Sequence, residues 1–165
     1  MKIKIVVVGE LDTNCYLLEK DNEVLIIDPG ANFELIKNSI GDSKVVGCLL
    51  THHHFDHVGA LDEILEYYKL KENDYHGNNF KFKVIKTPGH TDDSISFYFE
   101  EENVMFVGDF IFNCSIGRTD LGGNDDDMIK SLNMISSYDD NIIIYPGHGP
   151  KTILGEEKRR FSNYY

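Results

Sequence analysis

The hydrophobic pattern divides the chain into short strands and amphipathic helices. Residues 3–8 are an apolar run closed by Gly9, and 14–19 and 23–28 read as the next two strands. Lys20-Asp21-Asn22 between them is a hairpin signal. Val24-Leu25-Ile26-Ile27 is apolar on both faces, as in a strand covered on both sides, and it ends in the turn Asp28-Pro29-Gly30. Phe33, Ile36 and Ile40 form a stripe that predicts a helix over 33–40, with Asn32 as N-cap and Gly41 as the stop. A strand over 45–50 follows. Leu61, Ile64, Leu65 and Tyr68, at helical spacing, predict a second helix. Residues 71–80 are polar and loop-like. Phe82, Val84 and Ile85 mark a strand ending in Thr87-Pro88-Gly89-His90. Ile95, Phe97 and Phe99 alternate with polar residues and predict a half-buried strand. Residues 103–107 are the next strand, ending in Gly108-Asp109, and 110–123 read as a glycine-bearing loop. Met128, Leu132 and Ile135 face inward on a third helix, whose first turn carries Asp125, Asp126 and Asp127, favourable against the helix dipole. A last strand over 141–145 and a short basic helix near 155–160 close the chain. Strands with interleaved helices predict an α/β fold of two sheets with helices outside, in a single domain over residues 1–165.

The chemistry lies where strands end. His52, His54, Asp56 and His57 stand in an H-x-H-x-D-H pattern between the strand at 45–50 and the second helix. That is the kind of strand end at which open α/β sheets hold ligands. His90 follows Pro88-Gly89, Asp109 follows Gly108, and His148 follows Pro146-Gly147. Imidazole and carboxylate suit zinc, iron or manganese. Seven such ligands exceed the closed four-ligand set of a structural zinc and suit two metals sharing a carboxylate.

Composition narrows the partners. Over 165 residues the net charge is -12, which argues against a protein that grips a nucleic-acid backbone. It says less about small substrates, because bound cations invert the local field. Three cysteines, without a C-x-x-C spacing, fit a reducing cytosol better than a disulfide framework. The apolar part of the N-terminus is too short for a signal-peptide core, and no stretch could span a membrane. The expectation is a cytoplasmic enzyme acting on a small molecule, with neither nucleic acid nor membrane as partner.

These residues resemble the metallo-β-lactamase superfamily, most closely its small glyoxalase II-like hydrolases. The likeness covers nearly the whole chain through Thr13-Asn14-Cys15-Tyr16-Leu17, Ile27-Asp28-Pro29-Gly30, the ligand cluster, Pro88-Gly89-His90-Thr91, Gly108-Asp109, Ile116-Gly117-Arg118-Thr119-Asp120 and Pro146-Gly147-His148-Gly149-Pro150. The resemblance implies an αββα four-layer sandwich with two divalent metals at one edge, zinc first and iron or manganese as alternatives. It assigns His52, His54 and His90 to one metal and Asp56, His57 and His148 to the other, with Asp109 bridging. Two departures stand out. Glyoxalase II proper continues into a helical region that grips glutathione, whereas this sequence stops at Tyr165 directly after the expected last helix. The stretch between the second helix and the strand before His90 is also shorter than in that family, so part of the wall over the substrate is expected to be missing.

Plainer readings stand beside the metal reading. His53 is expected to point away from its ligand neighbours, His76 to be solvated, and Phe55 to pack beneath the cluster. Asp28 caps a turn or orients a ligand histidine from behind, the turn role being preferred. Arg118 pairs with an acid or, as the second choice, binds an anionic group of the substrate. The run Glu156–Arg160 reads as a solvated helical face.

The first functional hypothesis is hydrolysis of a thioester, ester or lactone. A water bridging the metals, its pKa lowered from 15.7 towards about 7, would attack the carbonyl as hydroxide. Asp56 would hold or orient the nucleophile's proton, and Asp109 would join Asp56 in the catalytic set. The second hypothesis is an oxidoreductase resembling persulfide dioxygenases, with one iron on His52, His90 and Asp109. A phosphodiesterase of the same fold is disfavoured by the acidic balance, and a non-catalytic metal-binding domain by the complete ligand set.

Overall fold

The computed structural model describes residues 1–164; Tyr165, the last residue of the expected domain, lies outside the described residues. The chain divides into two compact units, Met1–Lys81 and Phe82–Tyr165.

The first unit is built on a five-stranded sheet in the order β1-β2-β3-β4-β5. Strands β1 (Lys2–Val8), β2 (Thr13–Lys20) and β3 (Glu23–Ile27) form an antiparallel meander. Asp21 and Asn22 turn the β2–β3 hairpin at φ 50 and 64, positive angles that asparagine and aspartate tolerate and a tight hairpin turn requires. Helix α1 (Phe33–Ile40) crosses over to β4 (Lys44–Leu49), which pairs with β3 in parallel. Its Ile36 and Ile40 share a core with Val6, Val8, Leu17, Val24 and Ile26 from the sheet and with Leu61 and Ile64 of α3 (Leu61–Tyr68). The covered strand Val24–Ile27 is fully buried, as its sequence demands.

Three details depart from expectation. Asn32 precedes α1 in left-handed conformation without capping it; its Oδ1 instead accepts from the Gly9 amide at 2.8 Å, tying down the β1–β2 turn. A one-turn helix, α2 (Phe55–Val58), stands before α3, too short for helical periodicity to announce. The polar stretch after α3 contains a two-residue strand, β5 (Asp74–Tyr75), along the edge of β4.

The second unit holds a five-stranded sheet in the order β12-β11-β8-β7-β6. Its strands are β6 (Lys83–Lys86), β7 (Ile95–Phe99), β8 (Val104–Gly108), β11 (Ile143–Pro146) and β12 (Thr152–Ile153). Between β8 and β11 lie a small hairpin, β9 (Ile111–Phe112) and β10 (Ser115–Ile116), and helix α4 (Asp125–Ile135). The hairpin occupies what the sequence suggested was a loop; two residues a side are too few to show alternation. Asn124 caps α4 by accepting from the Asp127 amide at 2.8 Å. Met128, Leu132 and Ile135 pack with Met105, Val107, Ile142, Ile144 and Leu154. Helix α5 (Leu154–Lys158) and a 3-10 turn (Phe161–Asn163) end the unit.

Strand β7, expected to be half-buried, is covered on both faces: Ser96 is fully buried and Tyr98 is 8% exposed. The Ser96 hydroxyl is satisfied by Thr87 Oγ1 at 2.9 Å, and Tyr98 packs edge-on against Tyr138. Small hydroxyls and tyrosines thus hid a buried face inside a polar-looking alternation. Among the described residues no helix is long and apolar enough to cross a membrane.

Candidate metal centre

In the first unit the ligand-type residues follow β4 directly. His52 and His54 lie on the segment leading into α2, and α2 carries Asp56 and His57. His57 is fully buried, with Nδ1 2.9 Å from Asp28 Oδ2. A carboxylate there keeps the proton on Nδ1 and presents Nε2 as the lone-pair nitrogen. Asp28 also accepts from the Thr51 amide at 2.8 Å through Oδ1 and from Thr51 Oγ1 at 2.7 Å through Oδ2. Because the Thr51 hydroxyl donates to Asp28, it accepts from His52 Nδ1 at 3.1 Å. His52 therefore also presents Nε2. One buried carboxylate sets the tautomer of two histidines, so the Asp28 side chain orients these rings, directly and through Thr51, rather than capping the turn.

Asp56 Oδ2 accepts from the hydroxyl of Thr13, a fully buried residue, at 2.9 Å and lies 3.6 Å from His57 Nε2. His52 offers a ring nitrogen within 4.8 Å of one on His54 and of one on His57. Gly30 makes the arrangement possible. A Cβ on it would stand 1.8 Å from the Asp56 carbonyl, so only glycine lets α2 seat on the Asp28-Pro29-Gly30 turn.

In the second unit each ligand-type residue leaves a different strand end or loop. The parallel strands β8 and β11 run side by side, and the Gly147 amide donates to the Gly108 carbonyl at 2.8 Å. Asp109 and His148 follow these two residues. His90 Nδ1 donates to the backbone carbonyl of Arg118 at 2.7 Å, which again presents Nε2. Asp109 Oδ2 lies 3.5 Å from His90 Nε2 and 3.5 Å from His148 Nε2. These distances are short enough for a shared cation and too long for hydrogen bonds of ordinary length. Gly117 backs the arrangement: a Cβ there would meet the Asp109 carbonyl at 1.8 Å and His90 Nδ1 at 3.2 Å.

The Arg118 side chain is engaged elsewhere. Its Nε and Nη2 donate to Asp120 at 2.6 Å each, the acid pairing that was its first expectation. That pairing holds the Asp120 carboxyl at about 2. His53 is exposed, with Nε2 2.8 Å from Glu72, and His76 is exposed beside Asp74 at 3.1 Å. Phe55 does not pack beneath the cluster: at 75% exposed it starts α2 on the solvent side. Cys15 and Cys48 are buried, their thiols pushed well up by burial, whereas Cys114 is exposed; all three are free thiols. The charged run at 156–160 is not wholly solvated, because Glu157 within it is 2% exposed.

Comparison with known proteins adds the family. Residues 8–72 and 68–148 match the family described as the Metallo-beta-lactamase superfamily. The chain belongs to the metallo-β-lactamase superfamily. It is 30% identical to the probable metallo-hydrolase YqgX of Bacillus subtilis (strain 168), over 95% of each chain. With the hydroxyacylglutathione hydrolase GloC of Haemophilus influenzae it shares 31% identity over 96% of each. Among solved structures it is similar to the BLEG-1 B3 metallo-beta-lactamase, with TM-score 0.88 and 30% identity over 96% of this chain and 97% of that one. It is also similar to TTHA1623 in a di-iron-bound form, with TM-score 0.85 and 29% identity over 94% and 97%. The α/β superfamily fold implied by the sequence is thus borne out. The alignment with GloC runs over 203 positions against 165 residues here, so that relative carries segments this chain lacks. The two matched pieces of the family meet at residues 68–72, the end of α3, where the sequence already looked shortened.

Proposed function

We propose that this chain is a two-metal hydrolase of small acyl thioesters or esters. The observation that carries the reading is Asp109 Oδ2, 3.5 Å from the Nε2 atoms of both His90 and His148, a position that suits a carboxylate shared between cations. His52, His54 and His90 would hold one divalent metal, Asp56, His57 and His148 the second, and Asp109 both. The donor set of imidazoles and carboxylates fits zinc first and also iron or manganese. Three of the imidazoles present Nε2 because Nδ1 is already engaged. Bound there, the metals supply Lewis acidity and lower the pKa of water from 15.7 towards about 7.

The chain's own groups do the rest. Asp28, directly and through Thr51, keeps His57 and His52 in the ligating tautomer. Thr13 holds Asp56, whose carboxylate takes and orients the proton of the attacking water. The water oxygen adds to the acyl carbon, the bond to the leaving sulfur or oxygen breaks, and the proton passes through Asp56 to the leaving group. The thioester class is favoured by the likeness to GloC over 96% of both chains. The segment missing after α3 favours substrates that need no wall on that side. Three free thiols fit a reducing compartment, and we place the protein in the cytoplasm.

Metal analysis of the purified protein, followed by a panel of thioesters with and without glutathione and of simple esters, tests the reading. Two divalent metals per chain and a thioesterase activity lost with Asp109→Ala are expected. Thioester hydrolysis that persists at full rate after chelation and in Asp109→Ala would overturn it.

A further inference from the structure

From the second unit we infer that Glu157 is a positioning residue: a buried carboxylate clamps the β9–β10 hairpin that carries the backing of His90 and Asp109. The inference rests on the metal-centre reading above. Glu157 lies on α5, 48 residues beyond Asp109 and 67 beyond His90, and is 2% exposed. Its Oε2 accepts from the Cys114 backbone amide at 3.1 Å, and its Oε1 accepts from the Thr152 hydroxyl at 2.6 Å. Arg160 Nη1 stands 3.4 Å from Oε2, on the solvent side. Burying a carboxylate is costly unless donors surround it, so this one is held for what it fastens.

What it fastens is the tip of the hairpin. Cys114 sits there at φ 66, a conformation rarely adopted by a non-glycine residue. The first strand of the hairpin leaves Asp109 and brings the Phe112 ring within 6.3 Å of the His148 ring. The second strand delivers Gly117, against which the Asp109 carbonyl packs, and then the Arg118 carbonyl that accepts from His90 Nδ1. The hairpin itself has only two residues a side, too short to hold its own position. Glu157 and Thr152 supply an anchor from outside it. Loss of that anchor lets the Arg118 carbonyl and Gly117 drift, and His90 loses its fixed tautomer and direction.

The test compares wild type, Glu157→Ala and Glu157→Gln as whole folded chains. Zinc affinity is measured by competition with a chromophoric chelator, and hydrogen exchange is followed over residues 111–118. Glu157→Ala is expected to weaken zinc binding by tenfold or more, about the size of other losses behind a ligand. It should also speed exchange across the hairpin. Glu157→Gln, whose amide can accept from Cys114 and donate to Thr152, should restore both. A purely structural role would lower thermal stability in Glu157→Ala and leave zinc affinity of the folded chain unchanged; that result overturns the inference. If Glu157→Ala does not fold, Thr152→Val removes one donor to Glu157 and should reproduce the weaker binding at smaller size; unchanged affinity there counts against the inference equally. A wild-type chain that takes up no metal sinks the centre itself and the role of Glu157 with it. Faster exchange with unchanged affinity sinks only the latter.

Discussion

The two units hold their ligand-type residues by different means. In the first unit the residues are neighbours in sequence, and side chains brace them: Asp28, Thr51 and Thr13 each reach a histidine or carboxylate directly. In the second unit the residues come from separate places along the chain, and backbone braces them: the Arg118 carbonyl, the Gly117 backbone and the Gly147–Gly108 hydrogen bond. Contiguous residues need side chains to fan them into divergent directions. Of the second set, Asp109 and His148 follow adjacent parallel strands and are aligned by the sheet, whereas His90, which follows the edge strand β6, is held by the Arg118 carbonyl. The difference predicts where substitution hurts.

The largest effect is expected at Asp28, because no backbone group can replace it. Asp28→Ala strands three buried donors, each costing about 1–3 kcal/mol when left unmade, so a loss of roughly 3 kcal/mol or more in urea unfolding is expected. Near-wild-type stability would break the comparison on its first side. Gly117→Ala is the matching change in the second unit. Its Cβ would lie 1.8 Å from a carbonyl, so the backbone must move, and metal affinity should fall while the first unit's hydrogen exchange stays as it was. Thr13→Val, nearly isosteric, should cost about 1 kcal/mol through the lost hydrogen bond to Asp56 and lower turnover more than it raises KM. In the native protein an aromatic disulfide reagent should titrate one thiol quickly, Cys114, and all three only after denaturation, since Cys15 and Cys48 are buried with thiols pushed up.

The smallest effect is expected at the exposed pair. Arg118→Ala should leave thermal stability at neutral pH unchanged, because exposed ion pairs contribute little. It should let the Asp120 carboxyl rise from about 2 towards its ordinary range, visible in a carboxyl titration by NMR. The sign is that of a depressed acid. What the pairing contributes is present above the ordinary carboxylate range and fades as pH falls towards about 2, and the variant removes that fading.

Much of this was readable in the chain, for physical reasons. The H-x-H-x-D-H cluster is compact enough to be a pattern, and His90, Asp109 and His148 each stand beside a glycine at a strand end. Longer elements declared themselves by period, and α1 runs over the residues its apolar stripe marks. The one-turn α2 and the β9–β10 hairpin did not, being shorter than any period they could display. The Arg118 carbonyl that backs His90 belongs to the backbone, and residue type says nothing of it. Glu157 was lost in a charged run because its partner Cys114 lies 43 residues away, a pairing that only the fold creates. Phe55 misled in the opposite sense, an aromatic beside ligand-type residues that faces solvent.

The central claim is that the two differently braced sets serve one pair of cations. An anomalous-difference map from crystals of the zinc-loaded protein measures it directly. The account predicts two peaks about 3.5–4 Å apart, one against His52, His54 and His90, the other against Asp56, His57 and His148, with Asp109 touching both. A single peak, or zinc held by the residues of one unit alone, would contradict it.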